Sequence, residues 1–297
     1  MKKLIVFVAL ICAYANLYAQ RNWDEIKIVA ENVSDNIYML KGSGGNIGVI
    51  TGPDGTLMID SQFAPLSEKI KAAIHELSDT SIVYLVNTHW HGDHTGGNEN
   101  FGMDGATIIA HDNVRERLTT ENVRPFRGTT PPAPEMAWPV ITFNDEMSLH
   151  INGESLHLFH VHNAHTDGDS FIYFPKANVL HMGDCFFKDR FPYIDTDLGG
   201  SVAGAISAVE KAFMICDEET KIIPGHGDLA SLEDLRKYFA MLNTMNDRVK
   251  NVSTAESTIE DLDIESLTEG YEDWGSGFIN GESFCKTILK DLYKGEK

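Results

Sequence analysis

The chain has 297 residues, with 24 basic and 44 acidic side chains, a formal charge of −20, 42% hydrophobic residues and 23% charged residues. This is a globular composition, long enough to bury a full core in one large α/β domain, and it excludes disorder, collagen and coiled coil. The acidic balance and the lack of any Lys/Arg cluster exclude a nucleic-acid partner, whose phosphates need such clusters, and favour a neutral or cationic small-molecule substrate.

Lys2 and Lys3 precede an apolar run, Leu4 to Ala13, that is too short to span a bilayer, and Leu17-Tyr18-Ala19 ends in a small residue before Gln20. Residues 1–19 therefore read as a signal peptide cleaved after Ala19, with Ala15 as the alternative. Its loss takes Lys2 and Lys3 with it, leaving a mature charge of about −22. The expected location is periplasmic or secreted, with no stable membrane insertion after cleavage. Ile11 stands before Cys12 where lipid attachment needs a small residue, which argues against a lipoprotein. Cys185, Cys216 and Cys285 remain, an odd number in an exported chain, so at least one is free or bound to something.

Between Asn36 and Ile59 the pattern is strand, turn, strand: Ile47 to Ile50 and Thr56 to Ile59 flank the turn signal Gly52-Pro53-Asp54-Gly55. Leu66, Ile70, Ala73, Ile74 and Leu77 recur at helical spacing. Ile82 to Val86 is a continuous apolar run, as in a strand covered on both faces. After a histidine-rich loop, Thr107 to Ala110 reads as a strand and Asn113 to Leu118 as a short helix. Residues 119–139 lack periodicity and carry Pro125, Pro131, Pro132, Pro134 and Pro139 with Phe126, Met136 and Trp138, which reads as a long surface loop, either a substrate cover or a plain insertion.

Short strands resume at Val140 to Phe143, Met147 to Ile151, Ser155 to Val161, Ser170 to Phe174 and Val179 to Met182. A helix from about Gly204 to Cys216, a strand at Lys221 to Ile223 and a helix from Leu232 to Val249 follow. Two halves of strands followed by helices predict two sheets packed face to face with outer helices, one domain over 20–250. Residues 251–297 read as an acidic, partly helical C-terminal appendage, helical around Ser283 to Tyr293.

Three of the twelve histidines fall within six positions, in Thr88-His89-Trp90-His91-Gly92-Asp93-His94-Thr95-Gly96-Gly97. Imidazole is a common zinc ligand, and alternate residues in a tight loop after a strand converge on one ion, as His89 and His91 do; Asp93 and His94 then point to a neighbouring position. Three further ligand-type side chains each stand beside glycine or threonine just after a strand: His165 before Thr166-Asp167-Gly168, Asp184 after Gly183, and His226 in Pro224-Gly225-His226-Gly227. The set reads as three histidines on one metal and Asp, His, His on a second, with Asp184 as bridge. His160 and His162, near His165, are candidates to line a pocket, and Trp90 is expected to pack under the loop.

With these motifs and Asp60 at the end of the early hairpin, the chain resembles the metallo-β-lactamase superfamily over roughly Ile37 to Leu229. The resemblance implies an αββα sandwich of two mixed sheets with outer helices. It assigns His89, His91 and His165 to a first metal and Asp93, His94 and His226 to a second, and it makes Asp93 the catalytic residue that orients a hydroxide shared by two Zn2+ ions about 3.5–4 Å apart. Family members with a cysteine ligand carry Gly-Gly-Cys and, three residues on, a lysine that meets the substrate carboxylate. Gly183-Asp184-Cys185 and Lys188 match this in part, but Asp184 is the preferred ligand and Cys185 the alternative. The implied function is an exported binuclear zinc hydrolase opening a β-lactam, lactone or thioester. The alternative is an iron-dependent oxidoreductase of the persulfide dioxygenase kind on the same fold; the related diiron oxygen reductases replace a histidine with carboxylate and add a flavin domain, features absent from this sequence.

Overall fold

The computed structural model describes residues 22–124 and 128–294. The expected signal peptide, Pro125 and Phe126 lie outside the described residues. In chain order the elements are β1 (Val29–Ser34), β2 (Ile37–Lys41), β3 (Ile47–Ile50), β4 (Thr56–Ile59), α1 (Ser67–His75), β5 (Ile82–Val86), α2 (Gly92–Thr95), α3 (Asn98–Met103), β6 (Thr107–His111) and α4 (Asp112–Thr119). The hairpin β7 (Asn122–Arg124) and β8 (Gly128–Thr130) follows, then β9 (Ile141–Phe143), β10 (Glu146–Ile151), β11 (Glu154–His160), β12 (Ser170–Phe174) and β13 (Val179–Phe187). The chain finishes with α5 (Val202–Phe213), β14 (Lys221–His226), α6 (Leu232–Val252), α7 (Ile264–Leu267) and α8 (Gly281–Leu292).

Two mixed sheets result. One has the order β1-β2-β3-β4-β5-β6-β9, antiparallel through β4 and parallel beyond it. The other has the order β10-β11-β12-β13-β14, antiparallel except for its last pair. β4 shows why the strands are apolar on both sides. Leu57 and Ile59 face the second sheet, packing with Leu156, Leu158, Ile172 and Phe174, while Met58 faces outward with Ile70 and Ile74 of α1. The period of two thus fills an inter-sheet core and an outer helix layer from a single strand. Pro224 sits in β14 at the sheet edge, where the missing N–H costs no ladder bond. α5 and α6 start on Ser201 and Ser231, whose hydroxyls accept from the amides of Gly204 and Asp234.

The αββα architecture expected from the sequence is the one observed. The segment 251–297, expected as a partly helical appendage, carries α8, which packs against α6. In α8, Phe284, Cys285 and Ile288 are fully buried with Leu235, Tyr238 and Met245 of α6 in the outer core of the second sheet. The acidic residues disguised this, because most of them lie between Glu256 and Asp273, ahead of α8. All three remaining cysteines are free thiols; Cys185 and Cys285 are buried in this same core.

Phe284 is fully buried and its ring stacks on Phe191 at 5.2 Å. Phe284→Ala is therefore expected to lower the unfolding free energy by about 3–5 kcal/mol in a denaturant titration. A loss below about 1 kcal/mol would mean that the tail does not belong to the core.

Candidate metal centre

The strand ends supply the candidate ligands. His89 and His91 follow β5, Asp93 and His94 lie in α2, His165 precedes β12, Asp184 is in β13 and His226 ends β14. Among the described residues, three groups have ligand atoms within 4.8 Å of one another: His89, His91 and His165; His89, His94 and Asp184; and Asp93, His94 and His226. All seven expected residues thus converge, with Asp184 between the two triads. Its Oδ2 is 3.9 Å from His89 Nε2, 3.6 Å from His165 Nε2 and 3.3 Å from His226 Nε2, and its Oδ1 is 3.0 Å from His94 Nε2.

Glycines make this convergence possible at two points. Gly183 takes φ +51° and a Cβ there would press on Thr88, while a Cβ at Gly225 would overlap Asp184 Oδ1. Cys185 points the other way, 1% exposed in the core beside α6, and burial pushes its thiol well above the usual range. It belongs to none of the three groups, whereas Asp184 belongs to one of them.

The outward nitrogens of the histidines decide which atoms face the centre. His91 Nε2 donates to Asp195 Oδ2 at 2.9 Å and His165 Nδ1 donates to the Tyr193 carbonyl at 2.6 Å, since both partners are pure acceptors. The lone pairs of His91 Nδ1 and His165 Nε2 then face each other at 2.8 Å. Thr88 gives its hydroxyl proton to Asp60 and so accepts from His89 Nδ1 at 3.0 Å, leaving His89 Nε2 as a third lone pair, buried and without a partner. Burial first, then the neighbouring histidines, hold His89 well below its ordinary value; burial and His91 lower His165. Three ring nitrogens aimed at one point, with His89 Nε2 buried and without a hydrogen-bond partner, is an arrangement that a cation would stabilise.

The second triad is different. His94 Nδ1 meets Asp60 Oδ2 at 2.7 Å, and Asp93 Oδ2 lies 3.4 Å from His226 Nε2. Burial opposes charge here, yet Asp184, Asp60 and Asp93 hold His94 well above its usual value, and Asp184 with Asp93 raises His226 to about 9. Asp93 is correspondingly held down to about 2, His94 and His226 outweighing its burial. A proton therefore occupies, in the metal-free chain, the place where positive charge is wanted. The donor set of three imidazoles beside Asp, His and His under a common carboxylate fits two divalent ions.

The centre opens onto a cavity of about 800 Å³. Phe63, Trp90, Phe187 and Phe191 line it, together with Pro131, Pro132 and Pro134 from the stretch expected as a surface loop, so that stretch forms a wall of the pocket. Trp90 is 4% exposed and packs with Ala110 and Val114, as expected, with the Arg124 guanidinium 5.4 Å from its ring. His160 and His162 do not reach the cavity; the His160 ring instead stacks on His111 at 3.8 Å. Lys188 is also absent from it, bonded to the Leu229 carbonyl and to Asp234. Asp195, Tyr193, Arg124 and Arg190 were not singled out by sequence reasoning, because they lie in stretches without periodicity or ligand spacing.

A family model described as the metallo-β-lactamase superfamily matches residues 40–226. The chain belongs to the metallo-β-lactamase superfamily. Solved superfamily structures of similar shape include a metallo-β-lactamase from Pontibacter korlensis (TM-score 0.60, 16% identity, covering 73% of this chain and 99% of that one). DIM-1 metallo-β-lactamase is similar to the same degree (TM-score 0.60, 17% identity, 74% and 99%). A double mutant of the sec-alkyl sulfatase PisA1 has a TM-score of 0.66 at 16% identity, covering 91% of this chain and 51% of that one. Among curated relatives, the 2,4-dinitroanisole O-demethylase subunit alpha of Nocardioides sp. (strain JS1661) is 24% identical over 165 residues, 55% of this chain, and the match spans 48% of that protein's length. The beta-lactamase-like protein 2 homolog of Caenorhabditis elegans is 22% identical over 245 residues, 80% of this chain and 75% of that protein. These identities show the superfamily fold.

Two outcomes follow from this centre. Asp184→Ala should lose the second metal equivalent, whereas Cys185→Ser should keep both, as read by elemental analysis of the purified variants; the reverse ranking would restore the cysteine as ligand. Zinc titration of the chelator-treated chain in weak buffer near pH 7 should release more protons with the second equivalent than with the first. His94 and His226 carry protons that a metal must displace, whereas His89 and His165 do not. Affinity for the second ion accordingly rises with pH until His226 is neutral near 9 and falls as pH drops. Equal proton release at both steps would contradict these charge states.

Proposed function

We propose that the chain is an exported binuclear zinc hydrolase that opens a carbonyl substrate of the β-lactam, lactone or thioester class. The observation that carries this reading is Asp184 standing between two complete ligand triads at the floor of a largely apolar cavity. His89, His91 and His165 would hold one zinc ion and Asp93, His94 and His226 the other. Two such ions supply Lewis acidity toward a carbonyl oxygen and lower the pKa of water.

The chain's own residues would then divide the remaining work. Asp93 is 29% exposed on the cavity side and is kept ionised by His94 and His226, so its carboxylate can accept a hydrogen bond from a water and orient it for attack. Asp60 accepts from Thr88 N, Thr88 Oγ1 and His94 Nδ1 and so fixes the start of the histidine loop. The aromatic and proline walls keep bulk water from the reacting carbonyl. Lys188 is committed to Leu229 and Asp234, so it does not supply the carboxylate anchor that a β-lactam substrate would use there.

Export to the periplasm or beyond is part of the proposal and rests on the leader pattern in residues 1–19. No helix among the described residues is long and apolar enough to cross a membrane. The acidic charge supports a small-molecule substrate rather than a nucleic acid.

The test is a hydrolysis panel of a chromogenic cephalosporin, a lactone and a thioester, run on the mature chain with zinc and after chelation. Zinc-dependent turnover of at least one substrate is expected, and Asp93→Asn should cut kcat on it by ~100-fold or more, with KM much less affected. A single bound iron with an empty second site, or near-normal turnover by Asp93→Asn carrying both metals, would overturn the reading.

A further inference from the structure

Net charge favours a neutral or cationic substrate, yet among the described residues three arginines, Arg117, Arg124 and Arg190, line the cavity. Two are already neutralised. Arg117 is paired with Asp167 at 2.5 Å, and Arg124 lies 3.7 Å from Asp195 and donates to Thr130 Oγ1. Arg190 makes no hydrogen bond or ion pair among the described residues. The carboxylate nearest to it in effect, Asp228, is bonded to Lys41 at 2.9 Å. An arginine left unpaired at the wall of an apolar pocket in an acidic protein is a ready partner for an anion.

The wall around Arg190 is built by the C-terminal segment, which lies beyond the residues that match the family. Phe191 N donates to the Trp274 carbonyl at 3.0 Å and its ring stacks on Phe284, so the segment is pinned beside Arg190. Gly277 runs along the Arg190 stem; a Cβ there would come within 3.4 Å of Cδ. This places Phe278 and Ile279 in the cavity lining. Phe278 is 85% exposed, a large aromatic ring held at the pocket rim with nothing covering it. Exposed apolar surface beside a concave site marks ligand contact.

We propose that Arg190, with Phe278 and Ile279 of the C-terminal segment, forms a substrate subsite for a carboxylate carried on an apolar, aromatic or aliphatic body. The guanidinium takes the carboxylate and the two apolar side chains take the body next to it. The proposal deepens the hydrolase reading by naming the substrate class, and it rests on that reading for the position of the scissile bond alone. Substrate selection then depends on a part of the chain that lies beyond the residues matching the family.

The test is calorimetric binding to the full mature chain after chelation, so that no ion competes for the carboxylate and the result does not depend on hydrolysis. The probes are 4-phenylbutyrate and its neutral counterpart 4-phenylbutanol. The acid should bind about tenfold more tightly than the alcohol, the scale of one charge-assisted hydrogen bond. Arg190→Gln should abolish that preference, Phe278→Ala should weaken both probes by a similar factor, and Lys237→Gln, which removes an exposed charge on α6, should change neither. Circular dichroism and Tm verify that each variant is folded. Equal affinity for the two probes, no binding of either, a preference that survives Arg190→Gln, or unchanged binding by Phe278→Ala would overturn the proposal. Failure of the hydrolysis panel with this binding pattern intact would sink the catalytic reading and leave the subsite standing.

Discussion

The centre depends on hydrogen bonds made on the far side of its histidines. Asp195 and the Tyr193 carbonyl accept from His91 and His165, and Asp60 accepts from His94 and, through Thr88, orders His89. Each bond fixes a tautomer and a ring orientation at once, and together they turn the remaining nitrogens inward. Without those acceptors the rings could rotate or share protons among themselves, and the lone pairs would have no common focus. Asp60 has the most to hold. It is fully buried, sits at φ +64° at the end of β4, and binds the residues on which the histidine loop begins. The strain of that backbone conformation is offset by three hydrogen bonds to one carboxylate.

The two sheets serve this geometry by bringing their strand ends together. β5 delivers the histidine loop, β13 delivers Asp184 and β14 delivers His226, while the inter-sheet core of Ile59, Val86, Ile172 and Ile223 fixes the sheets against each other directly behind the site. A packed core admits little relative movement, so ligand positions drawn from two different sheets remain in register. The two candidate metal positions are nonetheless unlike in charge. In one, burial holds His89 and His165 below their ordinary values, and in the other Asp184 and Asp93 hold His94 and His226 above theirs.

Much of this was legible in the sequence, for physical reasons that also explain what was not. His89, His91, Asp93 and His94 stand out because a tight loop after a strand must place them together, and Asp184 and His226 because glycine beside a ligand-type residue signals close backbone approach. The strands were readable from apolar runs such as Ile82 to Val86, in which no polar residue alternates and whose last two residues are buried. Asp195, Arg124 and Arg190 carry no such pattern, since their roles come from contacts between segments far apart in the chain: Asp195 is 104 positions from His91. The packing of the C-terminal segment was not legible because its acidic residues dominate its composition while Phe284, Ile288 and Leu289 occupy a single helical face. The proline-rich stretch hides a short hairpin for a similar reason, as strands of three residues are too brief to show a period.

The central claim is that the inward nitrogens and carboxylates are organised for two cations. Anomalous diffraction at the zinc edge from crystals of the purified mature chain tests it directly. Two peaks are expected: one roughly 2.0–2.1 Å from His89 Nε2, His91 Nδ1 and His165 Nε2, and the other at the same distance from His94 Nε2 and His226 Nε2 beside Asp93, with Asp184 reaching toward both. A single peak, or ligation through His91 Nε2 or His165 Nδ1, would contradict the tautomers on which the whole account of the centre stands.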